Sequence, residues 1–332
     1  MFNISEIKIK ELEAYTKISK ASIHRYFKAL ENGVTYTNNR ITGISPKAAE
    51  IFLKKQTSLN LDKPSVTLSA NLCGGVGKTS SVYNLAAALR RVTGEEHNPI
   101  VLIDGDSQAS FTHIVCGERA ADNEPILIDY IENKASISDI LNNLGHGVYF
   151  IKSNLNSAYL DKALNKPSDI KKAMKNLYFD IFNTLGANTK IFQDHTPQLS
   201  NLFASSISAL YQMSDDVICN VLIPIRSDDF ALSGATYIIN EINDLVDTYS
   251  FNKDKVNIHC FFSALDRRIS TSGEALQKAM SDDVIKNHLC PVVIRYSSEI
   301  PKSIMSCSNI FSTGRTTNAT SDYQDLLQYI YN

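Results

Sequence analysis

The stretch VTLSANLCGGVGKTSSVYNLAAAL, residues 66–89, decides the fold. An apolar run ends, the chain turns through Gly74, Gly75 and Gly77, and a helical segment starts near Thr79. Strand, tight turn and helix in that order set a positive helix end beside converging backbone N–H groups, which suits a phosphate. The glycines supply dihedrals that other residues resist, Lys78 adds a point charge for the β- and γ-phosphates, and Thr79 offers a hydroxyl to Mg2+. The expected nucleotide-binding residues are Gly74, Gly75, Val76, Gly77, Lys78, Thr79 and Ser80. The strict pattern G-x-x-x-x-G-K-[ST] is not met, because Leu72 stands at its first glycine, so a variant loop with a Gly-Gly pair is required.

Outward from the loop, strand-like runs recur at SVTLSANL, PIVLIDGD, VYFIKSN, TKIFQDH, DVICNVLIPI, VNIHCFFSAL and PVVIRY. Amphipathic segments long enough for crossover helices separate most of them, which predicts an α/β fold with a doubly wound, mostly parallel sheet. Ligands of such sheets bind beyond the carboxyl ends of the strands, where the glycine loop lies. Asp104 and Asp194 close two of the runs and suit Mg2+ or its waters, and Asp106 is placed to orient an attacking water.

The 332 residues are 43% hydrophobic and 20% charged, with no apolar run near 18 residues, so a soluble chain is expected. MFNISEIKIKELEAY carries charges where a signal peptide needs an apolar core, which predicts a cytoplasmic location. Six cysteines without a Cys-x-x-Cys pair read mostly as buried small hydrophobes. Charge is uneven: residues 1–63 hold 11 Lys+Arg against 6 Asp+Glu, while the whole chain carries −2.

That basic segment is the one expected to meet a polyanion. Within residues 5–33 two short helical patterns flank TKISK, and the second repeats Ile23, Phe27 and Leu30 at helical spacing. VTYTNNRITGI then alternates around Asn38-Asn39 as a hairpin, and SPKAAEIFLKK follows as a closing helix. The pattern predicts a small winged helix-turn-helix over residues 1–58 that binds DNA through Ser22, His24, Arg25, Lys28 and Arg40. A linker at 59–65 and a nucleotide-binding domain at 66–332 complete the expected division.

CGGVGKT at 73–79 resembles the loop of the deviant Walker A ATPases of the ParA/MinD group, Lys-Gly-Gly-x-Gly-Lys-[Thr/Ser], at every position except the first. NLAAAL, VLIDGDSQAS, FIKSNLNSAYLD, IFQDHTPQLSNL, VLIPIRSDDFALSG and ALDRRISTSGEAL are similar to later family segments in the right order, over roughly residues 65–331. Ser107 replaces the proline of the family's Asp-x-Asp-Pro-Gln switch.

The resemblance implies a P-loop NTPase fold, ATP and Mg2+ as cofactors, and a hydrolytic role for Asp106 together with Lys78. It implies metal binding by Thr79, Asp104 and Asp194, and nonspecific DNA contacts by Arg267 and Arg268. With a helix-turn-helix in front, it points to the larger ParA plasmid-partition proteins. Those form a homodimer on ATP, bind operator and nonspecific DNA, are stimulated by a ParB-like partner and repress their own operon, in a nucleoid-associated cytoplasmic setting. Members of this type often carry a longer helical extension ahead of the helix-turn-helix, and dimerisation through such an extension is not expected from residues 1–63. In the family the loop's first lysine reaches the partner subunit's phosphates, and Cys73 stands in its place. Either another cation, Lys152 or Arg267 by sequence order, replaces it, or hydrolysis is slow, or nucleotide acts as a switch without turnover. A nucleotide-gated transcriptional regulator and a MinD-like positioning ATPase are the alternatives. The latter expects a basic amphipathic membrane helix, whereas the terminal SDYQDLLQYIYN has no Lys or Arg, so no membrane contact is expected.

Overall fold

The computed structural model describes residues 2–30, 32–266 and 268–332. In chain order its first elements are α1 (Ile9–Thr16), α2 (Lys20–Lys28), β1 (Val34–Thr37), β2 (Arg40–Ile44) and α3 (Pro46–Gln56). β3 (Ser65–Ser69), α4 (Lys78–Arg90), β4 (Ile100–Asp104), α5 (Ser110–Cys116), α6 (Leu127–Ile131), α7 (Ile137–Ile140), β5 (Asn142–Gly145) and β6 (Val148–Ile151) follow. Then come α8 (Leu160–Ala163), α9 (Pro167–Leu185), β7 (Lys190–Asp194), α10 (Asn201–Tyr211), β8 (Ile218–Ile225) and α11 (Asp229–Tyr249). β9 (Asn257–Phe262), α12 (Ser270–Ser281), α13 (Glu299–Met305) and α14 (Asn318–Tyr331) close the chain.

Local chemistry explains the first elements. Ser19 and Ser45 cap α2 and α3 by accepting from Ser22 N and Ala48 N, and Pro46 occupies the first turn of α3, where its missing N–H costs nothing. Asn38 (φ 47°) and Asn39 (φ 60°) adopt the left-handed conformation that a two-residue hairpin turn needs, so β1 and β2 pair antiparallel.

The main sheet runs β5-β6-β4-β7-β3-β8-β9. Every pair is parallel except β5 with β6. β3 sits between β7 and β8, and the order of strands reverses around it, so the loop after β3 opens at the crevice. Register places Ser69 beside Asp194 and Asp104 beside Asp194, which brings the acidic strand ends to one edge.

One expectation is corrected and one element is new. PVVIRY, 291–296, is not a strand of the ladder: Pro291 brings no donor, and the segment meets its neighbours only through the Leu265–Arg295 bridge and single bonds such as Ile294 N–H to Phe262 O, 2.8 Å. The unforeseen β5 forms because Gly145, His146 and Gly147 all take positive φ and fold NNLG back on β6.

The segment expected as a linker is built into the core. Leu59 and Leu61 are buried, and Asn60 N–H bonds Tyr331 O at 2.8 Å. The helices before it are fastened too. Arg91, just after α4, donates to both oxygens of Glu11 at 2.7 and 2.9 Å and to the Ser5 and Glu6 carbonyls, and its guanidinium lies over the Phe311 ring. Gln324 on α14 donates to the same Glu11 at 2.7 Å. Burial alone raises the Glu11 carboxyl, but the bonds and charge of Arg91 outweigh it and hold it below its ordinary value.

Removing one partner of a buried, hydrogen-bonded pair strands the other charge, at a cost of roughly 3–5 kcal/mol. Arg91→Ala is therefore expected to lower the unfolding free energy from urea titration by an amount of that order, seen as a lower midpoint. Because the folded Glu11 titrates below its unfolded value, its contribution is present above that value and is lost as pH falls through the folded one. The wild type and Arg91→Ala should accordingly converge in stability in acid, which parallel urea titrations check.

Candidate phosphate-loop site

The loop is held open by Asn71. Its fully buried carboxamide donates to Pro224 O (2.9 Å) and Ala231 O (3.2 Å) and accepts from Cys73 N–H (2.9 Å), tying the loop to β8 and α11. Gly234 makes room for it: a Cβ added there would stand 2.4 Å from Asn71 Oδ1 and 3.2 Å from Cys73 N. Gly75 (φ +70°) and Gly77 (φ +93°) occupy the left-handed region, as the turn into α4 requires. Ser263, after β9, donates to Val76 O and fixes the middle of the loop from the far side.

Lys78 is buried and turns its ammonium back onto the loop, donating to Asn71 O and Cys73 O at 3.1 Å each. Burial pushes its pKa down, while Asp194 and Asp106 push it up. Thr79 donates to Asp194 Oδ2 at 2.5 Å. Asp194 Oδ1 is buried without a hydrogen-bond partner among the described residues, and burial pushes this carboxyl well above the usual carboxylate range.

Asp104 is committed differently. Its Oδ1 accepts from Asp106 N–H (3.0 Å) and its Oδ2 from Thr112 N–H and hydroxyl (2.8 and 2.6 Å), so it organises the segment that carries Asp106. With three bonds accepted, one Oδ1 lone pair remains, which suits the expected contact to Mg2+ or its waters best through a metal-bound water. The half-buried Asp106 accepts from Gln108 N–H at 2.8 Å, and its carbonyl is held by the Ser153 hydroxyl at 2.7 Å. Gly105 lets β4 and β7 approach, since a Cβ there would meet Asp194 O at 2.7 Å.

Glycine loop, Thr79, Asp104, Asp106 and Asp194 are thus brought together, and Ser80 lines the cavity beside them. That cavity, about 610 Å3, lies between Gly75 and Gly77 on one side and Arg226, Tyr296 and Ile300 on the other. The residues expected to touch DNA fall into separate places. Ser22, His24, Arg25 and Lys28 are exposed on α2, and Arg40 is exposed at the start of β2. Arg268 is exposed at the border of the cavity, forked onto Asp266 at 2.6 to 3.2 Å, and Arg267 lies outside the described residues. Lys152 is not free to replace a loop lysine, because it pairs with Glu124. Sequence reading missed Gly234, whose only signal was a glycine inside an otherwise good helix pattern.

Among the described residues no group of three or more His, Cys, Asp or Glu is arranged to enclose a metal. The unpartnered Asp194 Oδ1 next to a threonine hydroxyl fits instead a hard cation completed by phosphate oxygens and water.

Gly234→Ala tests the clamp. The added methyl forces Asn71 or α11 to shift, at a cost of about 1–3 kcal/mol. A lowered melting temperature with unchanged far-ultraviolet circular dichroism is expected, and an unshifted melt refutes the packing argument.

The AAA domain family model matches residues 65–258. A search of curated proteins returned no match. Among solved structures, apo McdA from Cyanothece is similar with a TM-score of 0.62 at 15% identity, covering 80% of this chain and 99% of that one. A protein from Borrelia burgdorferi B31 assigned to plasmid partition, bound to AMPPNP, gives 0.59 at 18% identity over 80% and 98%. Cobyrinic acid a,c-diamide synthase from Mycobacterium smegmatis with ADP and magnesium gives 0.59 at 18% over 80% and 92%. At these identities the solved structures establish the fold, and the family match covers more than half of the chain. The chain belongs to the AAA-domain family of ParA/MinD-like P-loop ATPases.

Proposed function

We propose that the chain is an ATP- and Mg2+-dependent DNA-partition ATPase that dimerises on nucleotide, binds DNA and is stimulated by a ParB-like, centromere-bound partner. The observation that carries this reading is the buried, unpartnered Asp194 Oδ1 beside the Thr79 hydroxyl at the mouth of the glycine loop. When bound, Mg2+ and ATP supply the reactive phosphoryl group and a cation that neutralises charge between the β- and γ-phosphates. The chain's own residues do the rest. Backbone N–H groups from Gly74 to Ser80 hold the phosphates, and Lys78 exchanges the Asn71 and Cys73 carbonyls for phosphate oxygens. Thr79 and Asp194 hold the metal, Asp104 acts through water and through the Asp106 segment, and Asp106 orients the attacking water. The cavity that runs from Gly75 and Arg226 to Tyr296 and Ile300 has the size for part of a nucleotide.

In this reading residues 1–58 form a winged helix-turn-helix, 59–65 connect it, and 66–332 form the ATPase. Its α2 offers Ser22, His24, Arg25 and Lys28 to base edges and phosphates, with Arg40 on the wing, and it represses its own operon. Arg268 and Arg267 add nonspecific contacts, and the protein is cytoplasmic and nucleoid-associated. Two observations favour a second reading, a nucleotide-gated transcriptional regulator with little turnover: Cys73 stands where a lysine would bring charge to the loop, and the N-terminal helices pack directly on the nucleotide-binding domain. The MinD-like alternative has less support. Tyr323, Leu326, Leu327 and Ile330 on α14 are already buried, and no described helix is long and apolar enough to cross a membrane.

ATP hydrolysis with and without DNA and the protein encoded alongside separates the two. The partition reading expects stimulated turnover that Asp106→Ala abolishes while ATP binding survives; ATP binding without turnover supports the regulator. In DNA-binding assays, Arg25→Ala and Lys28→Ala should each weaken operator binding, and each lost phosphate contact should reduce the salt slope by about 1. Unaltered binding by both variants removes α2 from the DNA interface.

A further inference from the structure

Arg226 follows β8, the strand next to β3, and so emerges at the same sheet edge as the glycine loop. A Cβ added at Gly75 would stand 3.7 Å from Arg226 Nη1, and the same guanidinium lines the cavity that Gly75, Gly77 and Ser80 border. Its charge is nearly unspent. The side chain is 54% exposed, and its ionic neighbour among the described residues is Asp228, 4.0 Å from Nε. That carboxylate already caps α11 by accepting from Ala231 N–H at 2.9 Å.

Among the described residues, the other candidate cations are engaged. Lys78 is bound to two loop carbonyls, and Arg268, the other arginine lining the cavity among the described residues, is forked onto Asp266. Lys152 is paired with Glu124. Gly75, three positions before Lys78, belongs to the turn whose backbone N–H groups face the phosphates, so a guanidinium beside it is within reach of a phosphate chain.

We infer that Arg226 sets its guanidinium on the γ-phosphate of ATP bound in its own subunit, supplying in cis the charge that Cys73 does not bring. The inference rests on the proposed nucleotide site. A guanidinium is suited to this place: its planar fork gives two parallel N–H···O bonds to a phosphate, and it keeps its charge at any working pH. Cys73 and Arg226 then form a complementary pair, a loop position without a cation beside a neighbouring strand end that carries one.

The test is titration of the full-length protein, with Mg2+, by fluorescent ADP and by a non-hydrolysable ATP analogue, in the wild type, Arg226→Gln, Arg226→Lys and Lys78→Ala. Loss of a charge-assisted bond to phosphate predicts that Arg226→Gln binds the ATP analogue about 10- to 100-fold more weakly, with ADP affinity unchanged. Arg226→Lys should recover part of the loss, and turnover, where measured, should fall with Gln and partly return with Lys. Wild-type affinity of Arg226→Gln for the analogue overturns the inference. So does an equal loss for both nucleotides, or a Lys variant no better than Gln. If the wild type binds neither nucleotide, or Lys78→Ala binds both as tightly as the wild type, the nucleotide site itself is refuted.

Discussion

The buried contact between Arg91 and Glu11 joins what the composition divides. Arg91 stands one residue beyond α4, whose other end is the glycine loop, and Glu11 lies in the first turn of α1. Four of the five guanidinium donors are used, on two carbonyls and both carboxylate oxygens, and the Gln324 amide and the Lys8 N–H complete the carboxylate, with Phe311 under the guanidinium. A desolvated charge pair is tolerated only when it is satisfied in this way. The N-terminal helices, α4 and α14 consequently share one apolar core, in which Leu12, Leu53, Leu89 and Leu327 are all fully buried.

At the opposite end of α4 the chemistry is left incomplete. Asp194 presents one bonded and one unbonded oxygen in a dry setting, and Lys78 spends its ammonium on the carbonyls of its own loop. Both arrangements are costly for an isolated chain, because buried charges and unpaired polar atoms forfeit solvation. An anion above the loop and a cation beside Thr79 relieve both at once. The rigid parts, Asn71 with its three bonds and Gly234 beneath it, hold the loop in shape before any ligand arrives. Preorganisation of this kind is what lets backbone dipoles act without reorganising.

Sequence reading reached the features that are local. Asn38-Asn39 announced a hairpin because those residues tolerate left-handed dihedrals, and the glycines before Lys78 announced a phosphate loop for the same reason. Aspartates at strand ends were legible because a parallel sheet sends all such ends to one edge. Features set by long-range packing were not. Nothing around Gly234 signals that Asn71 needs its space, nothing in LRRVT signals that Arg91 meets Glu11, and apolar alternation in PVVIRY reads as a strand although no continuous ladder awaits it. Leu59 and Leu61 lay hidden in a polar stretch whose proline suggested a free linker.

The same layout bears on how nucleotide and DNA binding would communicate under the proposed reading. α4 has 13 residues, about 20 Å of helix, and 11 of them are buried, so it has little freedom to bend between its two ends. A displacement at Lys78 is therefore carried to Arg91 as a movement of the whole rod. Arg91 and Gln324 grip the same carboxylate, so α1 follows both α4 and α14. A ligand can shift such an equilibrium only by its differential affinity for the two arrangements, and the γ-phosphate is what distinguishes ATP from ADP. Under that reading the residue that meets the γ-phosphate would govern both the chemistry and the coupling. A partition ATPase and a nucleotide-gated repressor would share this entire scaffold and differ chiefly in the charge brought to bear beside Gly75.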